Sequence, residues 1–325
     1  LDYLFIFVSI AFQALIWIFI AVVFIRINNK NKINYDFGQE GKKLPKDVNN
    51  FREIPCNKDI YRAFWVADTY DLNKSGNDFM GVLLLKWIYN GNVRVETVTE
   101  KKLLKNKSSD IIVFDHEPDD ANQHEKNLYK YMNEASGDGK LEKDEFKKWC
   151  KNHYSKILGW SDKVLKYERD ELVKEGSLTD IIVKKGLIFK YDTHSYRIES
   201  NLRQDAIEMK GLKKFLNEFS QIDKKEPIEV KLWNEYLMYA QIFGIADQVM
   251  KKFKDLYPEI IEDMDNYNFN YSTFVFVHDV STTGVKAASA ARQAAQSYSS
   301  GGGGFSSGGG GGGSFGGGGG GGGFR

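Results

Sequence analysis

The sequence predicts a membrane-anchored α+β chain, mostly helical, with tandem winged-helix-like cytoplasmic units and a disordered Gly-rich tail. Three observations lead there. An uncharged run of membrane length, "YLFIFVSIAFQALIWIFIAVVFI", fills Tyr3–Ile25. A helix–helix–hairpin pattern then occurs twice. The chain closes in "SSGGGGFSSGGGGGGSFGGGGGGGGFR" from Ser299.

The first segment carries the strongest physical signal. At 1.5 Å per residue a helix over Tyr3–Ile25 is roughly 34 Å long, enough to cross a hydrocarbon core of about 30 Å. It is longer than the apolar core of a signal peptide, and no small-x-small cleavage site follows it. Arg26, Lys30, Lys32, Lys42, Lys43 and Lys46 flank its C-terminal side, against Asp2 alone on the other. The positive-inside rule therefore places everything after Arg26 in the cytoplasm. Residues 1–26 read as a transmembrane helix and 27–50 as a polar juxtamembrane linker.

The chain has 325 residues, enough for two or more compact units. Lys and Arg number 45 against 44 Asp and Glu, so no global basic field draws it to nucleic acid. Cys56 and Cys150 form no C-x-x-C pair, which speaks against a disulfide framework or a zinc knuckle. A chain that opens on Leu1 reads as a fragment whose N-terminal part is missing.

Residues 51–118 are expected to form the first winged-helix-like unit. Asn57–Leu72 has apolar residues at helical spacing after a candidate N-cap, Asn57. Asp78–Asn90 is a second helix, with Gly91 just past its end. The alternating "NVRVETV" and the run "IIVF" make a long hairpin. Residues 119–222 repeat the order: a helix at Ala121–Glu134, a long charged helix at Glu142–Lys174, a hairpin in Gly186–Ser200 and a helix at Leu202–Phe219. Within 223–265, Pro227–Tyr257 reads as one amphipathic helix packing on this module. Residues 266–325, sparse in charge and then nearly pure glycine, read as disordered.

These residues resemble a known family. "FREIPCNKDIYRAFWVADTYDL", "DFMGVLLLKWIYNGNVRVE" and above all "LWNEYLMYAQIFGIADQVMKKF" are similar to the YciQ-like predicted membrane proteins, the family of domain of unknown function 2207. The resemblance implies the C-terminal half of such a protein. A signal sequence and an extracytoplasmic β-rich domain would precede it in the bacterial envelope. It implies no activity and no cofactor.

Candidate sites are few. "NEASGDGKLEKDEF" has the spacing of a calcium-binding EF-hand loop, with Glu134, Ser136, Asp138, Glu142 and Glu145 at the ligand positions. Against it, the first position is Glu rather than Asp and no partner hand is visible, so a capped inter-helix turn is the favoured reading. His116 and His124 lie among carboxylates without a metal-binding spacing, beside Asp119 and Asp120 as candidate N-caps. Cys150 on an apolar helix face reads as a core thiol, and Cys56 lacks a neighbouring His. No catalytic, cofactor or metal site is expected. The expected partners are the lipid bilayer and other proteins. Nucleic acid is the rival, because the wing "TEKKLLKNK" is basic while Asp78–Asn90 offers little to read bases beyond Lys86 and Asn90.

Overall fold

The computed structural model describes residues 13, 17, 33–73, 78–100, 107–185, 191–218, 230–256 and 271–300. Of the segment Tyr3–Ile25 only Gln13 and Trp17 are described, both helical; the rest of that expectation lies outside the described residues. Among the described residues no helix is long and apolar enough to cross a membrane. The glycine tail from Gly301 and the centre of the basic wing, residues 101–106, also lie outside them.

The described chain is α+β and mostly helical, and it divides into two compact units. Residues 1–43 and 171–203 form the first; 44–170 and 204–325 form the second. These are not the divisions at 118 and 222 read from the sequence. The difference comes from pairing at long range. The expected linker contributes strand β1, Asn34–Asp36, which pairs in parallel with a strand far down the chain.

The second unit begins with an irregular strap, then helices α1 (Ile60–Thr69) and α2 (Phe79–Tyr89). Each starts on a carboxylate cap. The side chain of Asp59 accepts from the backbone N–H groups of Tyr61 and Arg62, and that of Asp78 accepts from Gly81. Asn57, expected as the first cap, instead lies in a left-handed turn, with φ of 56°, 53° and 66° at Cys56, Asn57 and Lys58. Such a turn costs about 1–2 kcal/mol per residue, so the surroundings must hold it. Tyr239 donates its hydroxyl to Pro55 O at 2.8 Å and Tyr236 donates to Arg52 O, pinning the strap ahead of the turn.

Strands β2 (Val93–Glu100) and β3 (Lys107–Phe114) make the expected hairpin. Helix α3 (Gln123–Ser136) is capped by Asn122, not by Asp119 or Asp120. Strand β4 (Lys140–Leu141) then joins the sheet in the order β2-β3-β4. The long charged helix is two helices, α4 (Lys143–Asn152) and α5 (Tyr154–Lys174), broken at His153. A capping box, with Glu142 and Glu145 satisfying each other's backbone, starts α4.

In the first unit, β5 (Leu178–Lys185) and β6 (Tyr191–Ile198) form an antiparallel hairpin. It begins eight residues before Gly186, the start expected from the sequence. The sheet order is β1-β6-β5. Helix α6 (Ser200–Glu218) follows and runs from Gln204 onward in the second unit.

The single amphipathic helix expected over Pro227–Tyr257 is also two: α7 (Val230–Phe243) and α8 (Ala246–Leu256). Gly244, at φ 66°, turns the chain between them, a conformation that glycine alone adopts without cost. Residues 266–325 are not disordered throughout, as composition leads one to expect. Helix α9 spans Tyr271–Ser300. It buries Phe274, Val277, Val280, Ser281 and Ala288 and packs against α4 and α2. Contact with these helices supplies the burial that its weak local pattern conceals.

The core of the second unit centres on α1, α2 and α7. Val82, Leu83, Leu84, Leu85 and Trp87 of α2 are fully buried, each Val or Leu contributing roughly 1.5–3 kcal/mol. Phe64 and Phe79 stack at 4.3 Å, with Trp160 also stacked on Phe79 at 6.1 Å.

Candidate functional site

The segment with calcium-loop spacing forms the turn between α3 and α4, and several of its oxygens accept hydrogen bonds within it. Glu134 and Ser136 belong to the end of α3, so the start of the loop is helix. The Ser136 hydroxyl donates to Asn133 O and accepts from Gly139 N. Asp138 accepts from Lys140 N at 2.9 Å, and Glu145 from Glu142 N at 2.9 Å. Among the described residues no group of His, Cys, Asp and Glu has metal-holding geometry.

The other sequence candidates are also placed. His116 is exposed in the loop before α3. His124 lies in the first turn of α3, its ring edge against Tyr167 at 5.5 Å, and burial together with Lys163 and Lys166 lowers its pKa. Burial pushes the Cys150 thiol up to about 12. Burial, then the charge of Asp205, raises Cys56. Neither thiol is poised as a nucleophile.

Two buried polar clusters in the second unit escape sequence reasoning. In the first, the fully buried Glu125 of α3 takes Trp87 Nε1 at 2.7 Å, Lys86 Nζ at 3.0 Å and the Tyr61 hydroxyl. Burial and the charge of Glu125 raise the Tyr61 pKa, so it stays a neutral donor. Helices α1, α2 and α3 are thus tied to one carboxylate. Arg62 to Asp205, at 2.6 Å, adds α6 to α1.

The second cluster joins α9 to three other elements. Asp78, the cap of α2, is almost fully buried. It accepts from Gly81 N at 2.9 Å and from the Ser281 hydroxyl of α9. His278, one turn earlier on α9, points Nδ1 at Gln241 Oε1 (2.9 Å) on α7 and at Asp78 Oδ2 (3.5 Å). Its Nε2 lies 3.5 Å from Asp247 at the start of α8. Burial opposes the charge on His278, but hydrogen bonds and charge from Asp247 and Asp78 outweigh it and raise the pKa to about 10. The imidazole is therefore a cation at neutral pH, donating from both nitrogens. Farther along, Lys143 of α4 pairs with Asp279 at 2.8 Å.

Ser, His and Asp in one cluster invite comparison with a hydrolytic triad. The chemistry is wrong for it. The Ser281 hydroxyl is fully buried and donates to Asp78 rather than to the His278 ring. A protonated imidazole cannot act as general base. The arrangement instead clamps α9 across α2, α7 and α8. A shallow cleft of about 290 Å³ between the strap Pro45–Phe51 and α6 gathers Asp47 and Glu208 but no nucleophile.

The helices α6 to α8 and the hairpin before them are the part with a family match. Residues 181–253 match the family described as "Predicted membrane protein (DUF2207) C-terminal domain". The DUF2207 resemblance read from the sequence holds over that stretch, which includes "LWNEYLMYAQIFGIADQVMKKF". No curated protein and no solved structure matches the chain. The DUF2207 C-terminal domain begins within β5 and ends in α8, so it takes elements from both compact units. Its name describes a predicted membrane protein and gives no activity.

Proposed function

We propose that this chain is a single-pass membrane protein of the bacterial envelope whose cytoplasmic, winged-helix-like module acts through protein–protein contacts rather than catalysis. The supporting observation is the division of labour within α9. Its first half is clamped by Asp78, Asp247 and Lys143, while Arg292–Ser297 are all exposed. The clamped helix so holds out a polar rod that leads into the glycine tail, whose Phe305, Phe315 and Phe324 are suited to weak, repeated contacts. Most polar groups of the two buried clusters pair with one another, which also favours a scaffold. Proximity labelling from the full-length chain, with and without Gly301–Arg325, tests the reading. Loss of specific neighbours on removing the tail is expected; an unchanged set of neighbours counts against it.

The rival is a membrane-tethered DNA-binding regulator. The burial of α2, the helix that would have to enter the major groove, weighs against it. Retention of random duplex by the detergent-solubilised chain at low salt would favour the rival.

A further inference from the structure

Strand β5 is one edge of the sheet β1-β6-β5. Among the described residues its extensive packing is against β6 alone. The hydrogen-bonding phase of that pairing fixes what the edge presents. Ser177 O, one step before β5, accepts from Glu199 N–H at 3.1 Å. The odd-numbered residues of β5 therefore turn their backbone groups toward β6, and Asp180, Ile182 and Lys184 turn theirs outward along the edge. Such an edge is a template for a further strand.

The residues on it suit one strand in particular. Asp180–Lys184 reads Asp-Ile-Ile-Val-Lys, a negative end, three apolar residues and a positive end. Laid antiparallel against a second copy of itself about Ile182, it is self-complementary. Asp180 stands opposite Lys184 of the second copy, Lys184 opposite its Asp180, Ile181 opposite its Val183, and Ile182 opposite its own equivalent. The outward-facing residues Asp180, Ile182 and Lys184 are those that would exchange backbone hydrogen bonds in this register. Sliding the strands by two residues, the smallest step that keeps the same phase, loses both charge pairs.

The exposed face of the sheet agrees. Asp180, Ile182 and Lys184 share it and are all exposed. Ile182, at 62%, is more exposed than any other large apolar side chain described. On β6, His194 stands opposite Ile182 and bonds Asp180 at 2.9 Å, and the exposed Asp192 stands opposite Lys184. With a second copy in place, Lys184 lies between Asp192 of its own β6 and Asp180 of that copy. Opposite charges then alternate across the joined strands, an arrangement that stabilises cross-strand pairs. Ile182 gains an apolar neighbour at the axis.

We propose that the chain pairs with a second copy of itself through β5, antiparallel about Ile182, so that the two sheets become one across a two-fold axis. This contact goes beyond the α9 reading above and does not involve the glycine tail. The test is sedimentation velocity on the full-length chain in detergent over about 1–100 μM. We expect a reversible dimer. D180K and K184D each set two like-charged pairs across the axis and should weaken association at least about tenfold. An equal mixture of the two variants restores both opposite-charge pairs, and the dimer should return. The mixture then gains what both components lack, a result that loss of folding cannot imitate. Circular dichroism confirms that each variant is folded. A parent chain that stays monomeric throughout the range overturns the pairing. So does parental association in either variant alone, and so does a mixture that stays monomeric.

Discussion

His278 is one residue that holds several elements, and its ionisation makes the hold measurable. Its pKa is raised from 6.5 to about 10 in the fold. The stability it supplies is complete below about pH 6.5 and is lost as pH rises through about 10, because the unfolded chain releases the proton first. We expect His278→Ala to lower stability at pH 7 by on the order of a few kcal/mol, and to flatten the decline in denaturation midpoint between pH 7 and 10. An equal slope in both proteins would show that another group titrates there. Asp247 behaves oppositely: the hydrogen bond from His278 lowers its pKa, so its contribution disappears in acid. At Glu125 the expectation is steeper. Glu125→Ala leaves Lys86 and Trp87 without this acceptor and should cost about 3–5 kcal/mol in urea melts. None of these partnerships is legible in the sequence. Asp78 and Ser281 stand 203 positions apart, and spacing arguments do not reach so far.

At the scale of elements, α9 is the instructive case. Tyr271–Ser300 holds few large apolar residues and runs into glycine, so composition alone suggests disorder. The signal is present in a thinner form: Phe274, Val277, Ser281, Gly284 and Ala288 recur at three and four residues, a stripe of mostly shrinking side chains. That stripe fits close packing rather than an ordinary core. A Cβ placed on Gly284 would lie 2.7 Å from Phe146 Cε1 of α4. Gly284→Ala should therefore push α9 away and destabilise by roughly 1–3 kcal/mol, seen as a lower urea-denaturation midpoint than in the parent. The shorter helices are set by their first residues instead. The caps Asp59, Asp78 and Asn122 decide where α1, α2 and α3 begin. Asp78 is readable from sequence as a helix start, whereas Asn57 loses that role to the left-handed turn just before Asp59.

For the whole molecule, the first hairpin and most of the helices can be read from periodicity, because each is local, whereas β5 and α9 escape it. The division into units cannot, because it depends on which distant strand completes a sheet. The family match illustrates the consequence. Residues 181–253 contain β6 without its partner β1, and α7 without α1 and α2. Expressed alone, this stretch should lack the cooperative melting of the full chain in far-ultraviolet circular dichroism. A sharp transition would mean that the matched region is a domain in its own right.

The pairing of Asn34–Asp36 with Ser195–Arg197 also has a timetable. About 160 residues separate the two strands in the chain. At about 5–20 residues per second of synthesis, the first strand waits roughly 8–30 s for its partner. A long apolar strand left open for that time would pair with whatever it met. This one is three residues long, reads Asn-Tyr-Asp, and ends in a charge, which are the features that keep a waiting edge silent. Brevity at β1 is thus a property suited to the nascent chain as much as to the finished fold.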